Sequence, residues 1–197
     1  MDTKNIMIVG VGGQGTLLAS KLLGRILLEN GYDVKVSEVH GMSQRGGDVQ
    51  SNLRLSSKPI ASDLIPLGSA DLIVSLEPME ALRYMPWLSK NGWIVTSTLP
   101  FVNIPNYPEM GEVTAELERH PNLVAFDMDE VAKEVATARC SNMVLLGAAA
   151  PFIELEAEKI EEGIRSVFSA KGDKIVDMNI TAFRAGLKLT RELLSKR

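Results

Sequence analysis

Two polar, glycine-bearing loops hold most of the side chains in this chain that could do chemistry. The first, GVGGQG, runs from Gly10 to Gly15 and fits G-x-G-x-x-G, with Gly10, Gly12 and Gly15 at the fixed positions and Gly13 and Gln14 between them. Glycines permit a tight turn and close backbone approach, and the helix that should follow offers free N–H groups and a positive dipole end to an anion. The dinucleotide form of this motif adds an acid about twenty residues on, for ribose hydroxyls. Glu38 stands near that position. The same glycines also suit a purely structural strand-to-helix turn with no ligand, so both readings stand here.

The second loop, HGMSQRGG, spans His40 to Gly47. His40 and Arg45 can supply cationic or hydrogen-bonding groups, and Ser43 and Gln44 neutral donors and acceptors. Gly41 lies in the same loop, and Gly46 and Gly47 leave room for a ligand or a partner's backbone. Taken singly, His40 reads as a strand-end hydrogen bond and Arg45 as a solvated or ion-paired guanidinium. Gathered in one short loop, they point to a site or an interface. Elsewhere the candidates are weaker. His120 reads as a surface residue, Cys140 as a small buried side chain, and the acidic run from Glu154 to Glu162 as a solvated helix face. No Walker A, G-x-S-x-G, H-E-x-x-H or EF-hand pattern occurs, and no metal site is expected.

The elements that must position these loops follow from periodicity. An apolar run at about residues 4–10 reads as a buried strand. TLLASKLLGRILLENG has helical spacing and stops at Gly31. YDVKVSEV and the alternating DVQSNLRLS read as strands, and KPIASDLIP breaks the pattern. DLIVSLE, PMEALRYMPWL and GWIVTST read strand, helix, strand, with Pro78 in a first helical turn. The prolines at 100, 105 and 108 mark a loop. NLVAFDM is a further strand, DEVAKEVATA a helix and SNMVLLGAAAPF a buried helix. EAEKIEEGIRSVFS and NITAFRAGLKLTRELLSKR are amphipathic helices. The expectation is a single α/β, Rossmann-like domain over residues 1–197, with a mostly parallel sheet and helices on both faces. Both glycine loops should then leave the carboxyl ends of neighbouring parallel strands and face one crevice.

Composition limits the function classes. With 45% hydrophobic and 23% charged residues, the chain reads as a soluble globular protein. The net charge of −4 and the lack of a basic cluster argue against nucleic acid. No apolar run reaches the ~20 residues of a membrane span, and no signal-peptide pattern opens the chain. The single cysteine excludes an internal disulfide and a cysteine-held iron–sulfur cluster, and fits a reducing cytoplasm.

GVGGQG combined with EVHGMSQRGGDV resembles the gamma-domain family of 2-oxoacid:ferredoxin oxidoreductases. Within it, the HGMSQRGG loop is most similar to the beta subunit of indolepyruvate ferredoxin oxidoreductase. Pyruvate and 2-oxoglutarate relatives carry a related loop with different residues before the RG. SNMVLLGA and AFRAGL extend the resemblance over essentially the whole chain. It implies an accessory subunit of an enzyme that uses thiamine diphosphate, coenzyme A and iron–sulfur clusters to turn a 2-oxoacid into acyl-CoA, CO2 and reduced ferredoxin. The cofactors would sit mostly on a large catalytic alpha subunit, none being assigned to this chain alone. Gly10, Gly12, Gly13, Gln14 and Gly15 would shape a cofactor-binding loop. His40, Gly41, Ser43, Gln44, Arg45, Gly46 and Gly47 would meet substrate, coenzyme A or the partner, with His40 and Arg45 as catalytic candidates. An aryl 2-oxoacid, indolepyruvate above all, is the expected substrate, with pyruvate, branched-chain and other 2-oxoacids open. Two readings from other classes remain, a stand-alone NAD(P)-binding oxidoreductase and a non-catalytic binding module.

Overall fold

The computed structural model describes residues 3–41 and 46–197. Six strands form one sheet in the order β2-β3-β1-β4-β5-β6. They are β1 (Lys4–Val11), β2 (Asp33–His40), β3 (Asp48–Ser56), β4 (Ala70–Ser75), β5 (Leu88–Ser97) and β6 (Leu123–Phe126). Strands β1, β4, β5 and β6 pair in parallel, while β3 runs antiparallel to both of its neighbours. The sheet is therefore mostly parallel, with helices on both faces, as the alternation of strand and helix implies.

Strand β1 lies inside the sheet and is buried from Asn5 to Val11, which explains its apolar run. One face packs Ile6, Ile8, Leu53, Leu72 and Val95 against helices α1 (Thr16–Glu29), α5 (Ser141–Ala149), α6 (Ala157–Phe168) and α7 (Asp173–Ser195). Helix α4 (Met128–Val135) joins this layer through Met128 and Ala132. The opposite face packs Met7, Val9 and Ile73 against Ile65 and Tyr84. Beside them Ile94 meets α2 (Pro78–Arg83) and α3 (Met110–Glu118) through Ala81, Val113 and Leu117. All nine residues of α5 are buried, as expected of SNMVLLGAA, which is apolar on every side.

The expected placement of the two glycine loops needs one correction. Strands β1 and β2 run in the same direction, but they are not neighbours, because β3 lies between them. The second loop is the bend of a hairpin that returns the chain as β3. The alternation of β3 suits this inserted place. Val49, Ser51, Leu53 and Leu55 are buried, in register with the strand face under α1. On the other face Arg54 donates to the Ser62 and Leu64 carbonyls, and the Asn52 carboxamide accepts from the Ile65 amide. A loop therefore satisfies that polar row where a helix does not. No helix among the described residues is long and apolar enough to cross a membrane.

Candidate functional site

The site is built at the carboxyl ends of the parallel strands. Beyond Val11 the chain turns through Gly13 at φ 106° and Gly15 at φ 83°, and Gly15 then caps α1 with no side-chain hydrogen bond. These left-handed conformations are what the glycines supply. Gln14 folds back into the turn. Its carboxamide oxygen accepts from the Val11 amide at 2.8 Å, and its nitrogen donates to the Leu76 carbonyl at 3.4 Å. One side chain thus ties the end of β1 to the end of β4. A Cβ on Gly10 would lie 2.7 Å from the Thr16 hydroxyl and 3.1 Å from the Gln14 oxygen, so the closed turn leaves no room for one.

The second loop is sewn to the first. The Gly12 amide donates to the Gly47 carbonyl at 2.8 Å, and the Gly46 amide donates back to the Gly12 carbonyl at 3.2 Å. The antiparallel pairing of β1 and β3 continues through these contacts, which brings the loops together although their strands are not adjacent. Gly41 is exposed and sits near Asp48. Ser43, Gln44 and Arg45 lie outside the described residues, as does the side chain of His40, whose backbone pairs with Val49 at the end of β2.

Glu38 does not reach the ribose position that a dinucleotide site would need. It lies on β2, two strand spacings or about 10 Å from β1. One of its carboxylate oxygens pairs with Lys21 at 3.6 Å, and the other is buried without a hydrogen-bond partner. Below the loops, the Ser20 and Ser51 hydroxyls share a buried hydrogen bond of 2.5 Å that links α1 to β3.

A cleft of about 490 Å³ opens beside the first loop. Gly13, Gln14 and Gly15 form one wall, Leu76 and the Leu99–Phe101 stretch another, and Arg139, Ser141 and Asn142 a third. Those walls follow β1, β4 and β5 and include the start of α5, the place where open α/β sheets bind ligands. Asn142 is 6% exposed and lies against Gly15, where a Cβ would approach its Nδ2 to 3.1 Å. Its Oδ1 is buried with no hydrogen-bond partner, as is the Thr16 hydroxyl under the same turn. A helix start without a side-chain cap and the exposed Arg139 offer positive charge, while the Asp129 carboxylate and the orphaned Asn142 oxygen accept, a set that suits a ligand with both anionic and donor groups.

Three carboxylates outside the cleft lining bind groups of the neighbouring elements. Glu77, 1% exposed, caps α2 by accepting from the Glu80 amide at 2.7 Å. Its other oxygen accepts from the Phe101 amide at 3.3 Å and from the Tyr107 hydroxyl. Burial first, and the Glu77 carboxylate second, push the Tyr107 phenol up from its usual range. Burial also raises Glu80, against the opposing pull of Arg83 at 3.0 Å. Tyr84 donates to Asp48 at 3.4 Å and is pushed up to about 12, mainly by burial. Sequence reasoning passed over Glu77, Phe101, Asn103, Tyr107, Arg139 and Asn142. A signal for Glu77 was present, since an acidic residue directly before a first-turn proline is a helix-cap pattern. Cys140 is buried as expected, and His120 is half-buried where a surface position was expected.

An open α/β sheet with two interlocked glycine loops and a cleft at its carboxyl edge defines a binding domain of the α/β class. The chain belongs to the pyruvate ferredoxin/flavodoxin oxidoreductase family, whose model matches residues 5–189. It is 40% identical over 205 residues to the indolepyruvate oxidoreductase subunit IorB of Pyrococcus horikoshii, covering 99% of this chain and all of that one. Among solved structures, the keto/oxoacid ferredoxin oxidoreductase gamma subunit of Geobacter sulfurreducens matches with TM-score 0.69 and 22% identity, over 96% of this chain and 99% of that one. The 2-oxoglutarate:ferredoxin oxidoreductase of Magnetococcus marinus, with 2-oxoglutarate, coenzyme A and succinyl-CoA bound, matches with TM-score 0.77 and 20% identity. That match covers 98% of this chain, which spans about a third (32%) of the longer protein. At these identities the two structures speak for the fold.

Proposed function

We propose that this chain is the accessory subunit of a thiamine-diphosphate-dependent 2-oxoacid:ferredoxin oxidoreductase that acts on indolepyruvate or a related aryl 2-oxoacid. The enzyme would release CO2, form the acyl-CoA and pass electrons to ferredoxin. The observation that carries this reading is the end-to-end similarity to an indolepyruvate oxidoreductase subunit, 40% identical with both chains covered. The donor set agrees with an accessory role. One cysteine, buried beside Thr137, cannot hold an iron–sulfur cluster, so clusters would belong to a large catalytic partner, as would thiamine diphosphate. Coenzyme A suits the cleft better. The uncapped start of α1 and Arg139 would face its phosphates, and the free Asn142 oxygen would accept from one of its amide or amino groups. The second loop, from His40 to Gly47, would face the partner at the same edge. The isolated chain would be inactive, and the assembled enzyme cytoplasmic.

The test is co-purification from the native host without oxygen, with the visible spectrum and 2-oxoacid-dependent dye reduction recorded. A large iron–sulfur partner with indolepyruvate-driven reduction is the expected result. Activity with only pyruvate or a branched-chain 2-oxoacid would replace the substrate and keep the class. A colourless chain without a partner that binds NADH tightly would sink the reading.

A further inference from the structure

Glu77 does more than cap α2. A cap uses one acceptor, and aspartate or serine does it as well as glutamate. Here a fully buried carboxylate makes no ion pair with any described residue, and its second oxygen takes two donors from the loop between β5 and α3. Burying a charge in this way is costly unless several hydrogen bonds compensate, so the loop is part of what makes the arrangement tolerable. The two anchored residues, Phe101 and Tyr107, bracket Asn103. The Asn103 carboxamide donates to the Gly46 carbonyl at 2.6 Å, and Gly46 in turn bonds Gly12 in the first loop. On the near side of the anchor, Leu99, Pro100 and Phe101 form a wall of the cleft. Hydrogen bonds at Glu77 and at Gly46, joined by the short stretch of chain from Phe101 through Asn103 to Tyr107, therefore connect Glu77 to the cleft wall and to both glycine loops.

We propose that Glu77 is a positioning residue: through Phe101 and Tyr107 it sets the cleft wall, and through Asn103 it holds the second glycine loop against the first. The inference rests on the reading of this edge as the coenzyme A and partner side of the oxidoreductase. Glu77→Asp separates the two duties of the side chain. Aspartate still caps α2, but its shorter arm cannot also reach the loop. Tyr107→Phe removes one loop bond and leaves the cap untouched.

Two measurements test the proposal. The first is amide exchange on the isolated full chain. Glu77→Asp and Tyr107→Phe should speed exchange about tenfold at the non-proline residues of 99–108 and at Gly12 and Gly46, whose amides bond across the two loops, with α5 and α7 unchanged. The second is steady-state kinetics of the assembled enzyme. The KM for coenzyme A should rise about five- to tenfold while kcat stays within about twofold, because a smaller fraction of the protein holds the competent cleft. Unchanged exchange at Gly12 and Gly46 would overturn the coupling. Faster exchange with KM unmoved would reduce Glu77 to a merely structural group and overturn the proposal too. Should the wild-type chain show no partner or activity, the oxidoreductase reading fails by itself, and the exchange data alone then decide whether Glu77 holds the two loops together.

Discussion

Gly186→Ala should destabilise the protein, although helix propensity alone predicts the reverse. Gly186 lies inside α7 and faces α5, where a Cβ would sit 2.0 Å from the Val144 carbonyl oxygen and 2.9 Å from its carbon. Across the seam, a Cβ on Gly147 would sit 1.9 Å from the Phe183 carbonyl oxygen. The two helices therefore touch backbone to backbone. Real Cβ contacts essentially never fall below 3.0 Å, so the helices must part locally by about 1 Å. A gap of that size forfeits about a quarter to a half of each dispersion contact across it. Val144, Met143, Phe183 and Leu187 are all buried in that core. Overpacking of this kind costs about 1–3 kcal/mol or more, and a backbone acceptor cannot rotate away, which places this site at the upper end. Alanine returns about 1 kcal/mol of helix propensity. The net loss is about 2 kcal/mol, or roughly 4–8 °C in Tm for a chain of this length. Thermal and urea unfolding of the isolated chain, followed by circular dichroism, would measure it. Gly111→Ala in α3, where nothing lies within 4 Å of the added methyl, is the control and should gain up to about 1 kcal/mol. A Gly186→Ala protein as stable as wild type would refute the backbone-contact reasoning.

Two further outcomes are expected. Burial holds Tyr84 protonated up to about 12, above the usual tyrosine value of 10.0, so the folded state keeps a proton that the unfolded chain releases. Its contribution is present below the unfolded value and is lost as pH rises through the folded one, so urea midpoints should fall between about pH 10 and 12 in wild type and less in Tyr84→Phe. Equal slopes in the two proteins would count against it. For the Ser20–Ser51 pair, either single alanine leaves a buried hydroxyl without its partner and should cost about 1–3 kcal/mol. The double variant should cost less than the two singles added, and strict additivity in the cycle would show that the hydroxyls are not coupled.

Local signals made much of the fold legible. DVQSNLRLS alternates, and β3 occupies those residues from Asp48 to Ser56. Helix α1 stops at Glu29, with Gly31 in the left-handed region two residues beyond. Helix α3 was missed because three prolines precede it and only Val113 and Leu117 of its residues are buried, a short stripe four residues apart. The place of β3 in the sheet was not legible, since strand order is fixed by pairing over long sequence separation and not by the pattern of any one strand. The glycines of the first loop announced their turn, because positive φ selects that residue. Glu77, Asn103 and Tyr107 did not, because their meaning lies in contacts between residues far apart in sequence, such as Asn103 with Gly46.

The inserted hairpin also explains why so standard a glycine motif departs from a dinucleotide site. In the usual arrangement the second parallel strand lies beside the first and brings its acid to the ribose. Here β3 occupies that place, and Glu38 is carried one strand further out to pair with Lys21. The interior of the first turn is filled by Gln14, bonded at both ends of its carboxamide. What remains open is the outer side of the turn, facing Asn142 and the Leu99–Phe101 wall. The hairpin that removes the ribose acid also delivers a second loop to the same edge and fastens it through Gly12. A sheet edge that has two interlocked loops in place of a self-contained nucleotide site fits the partner-facing role proposed for it.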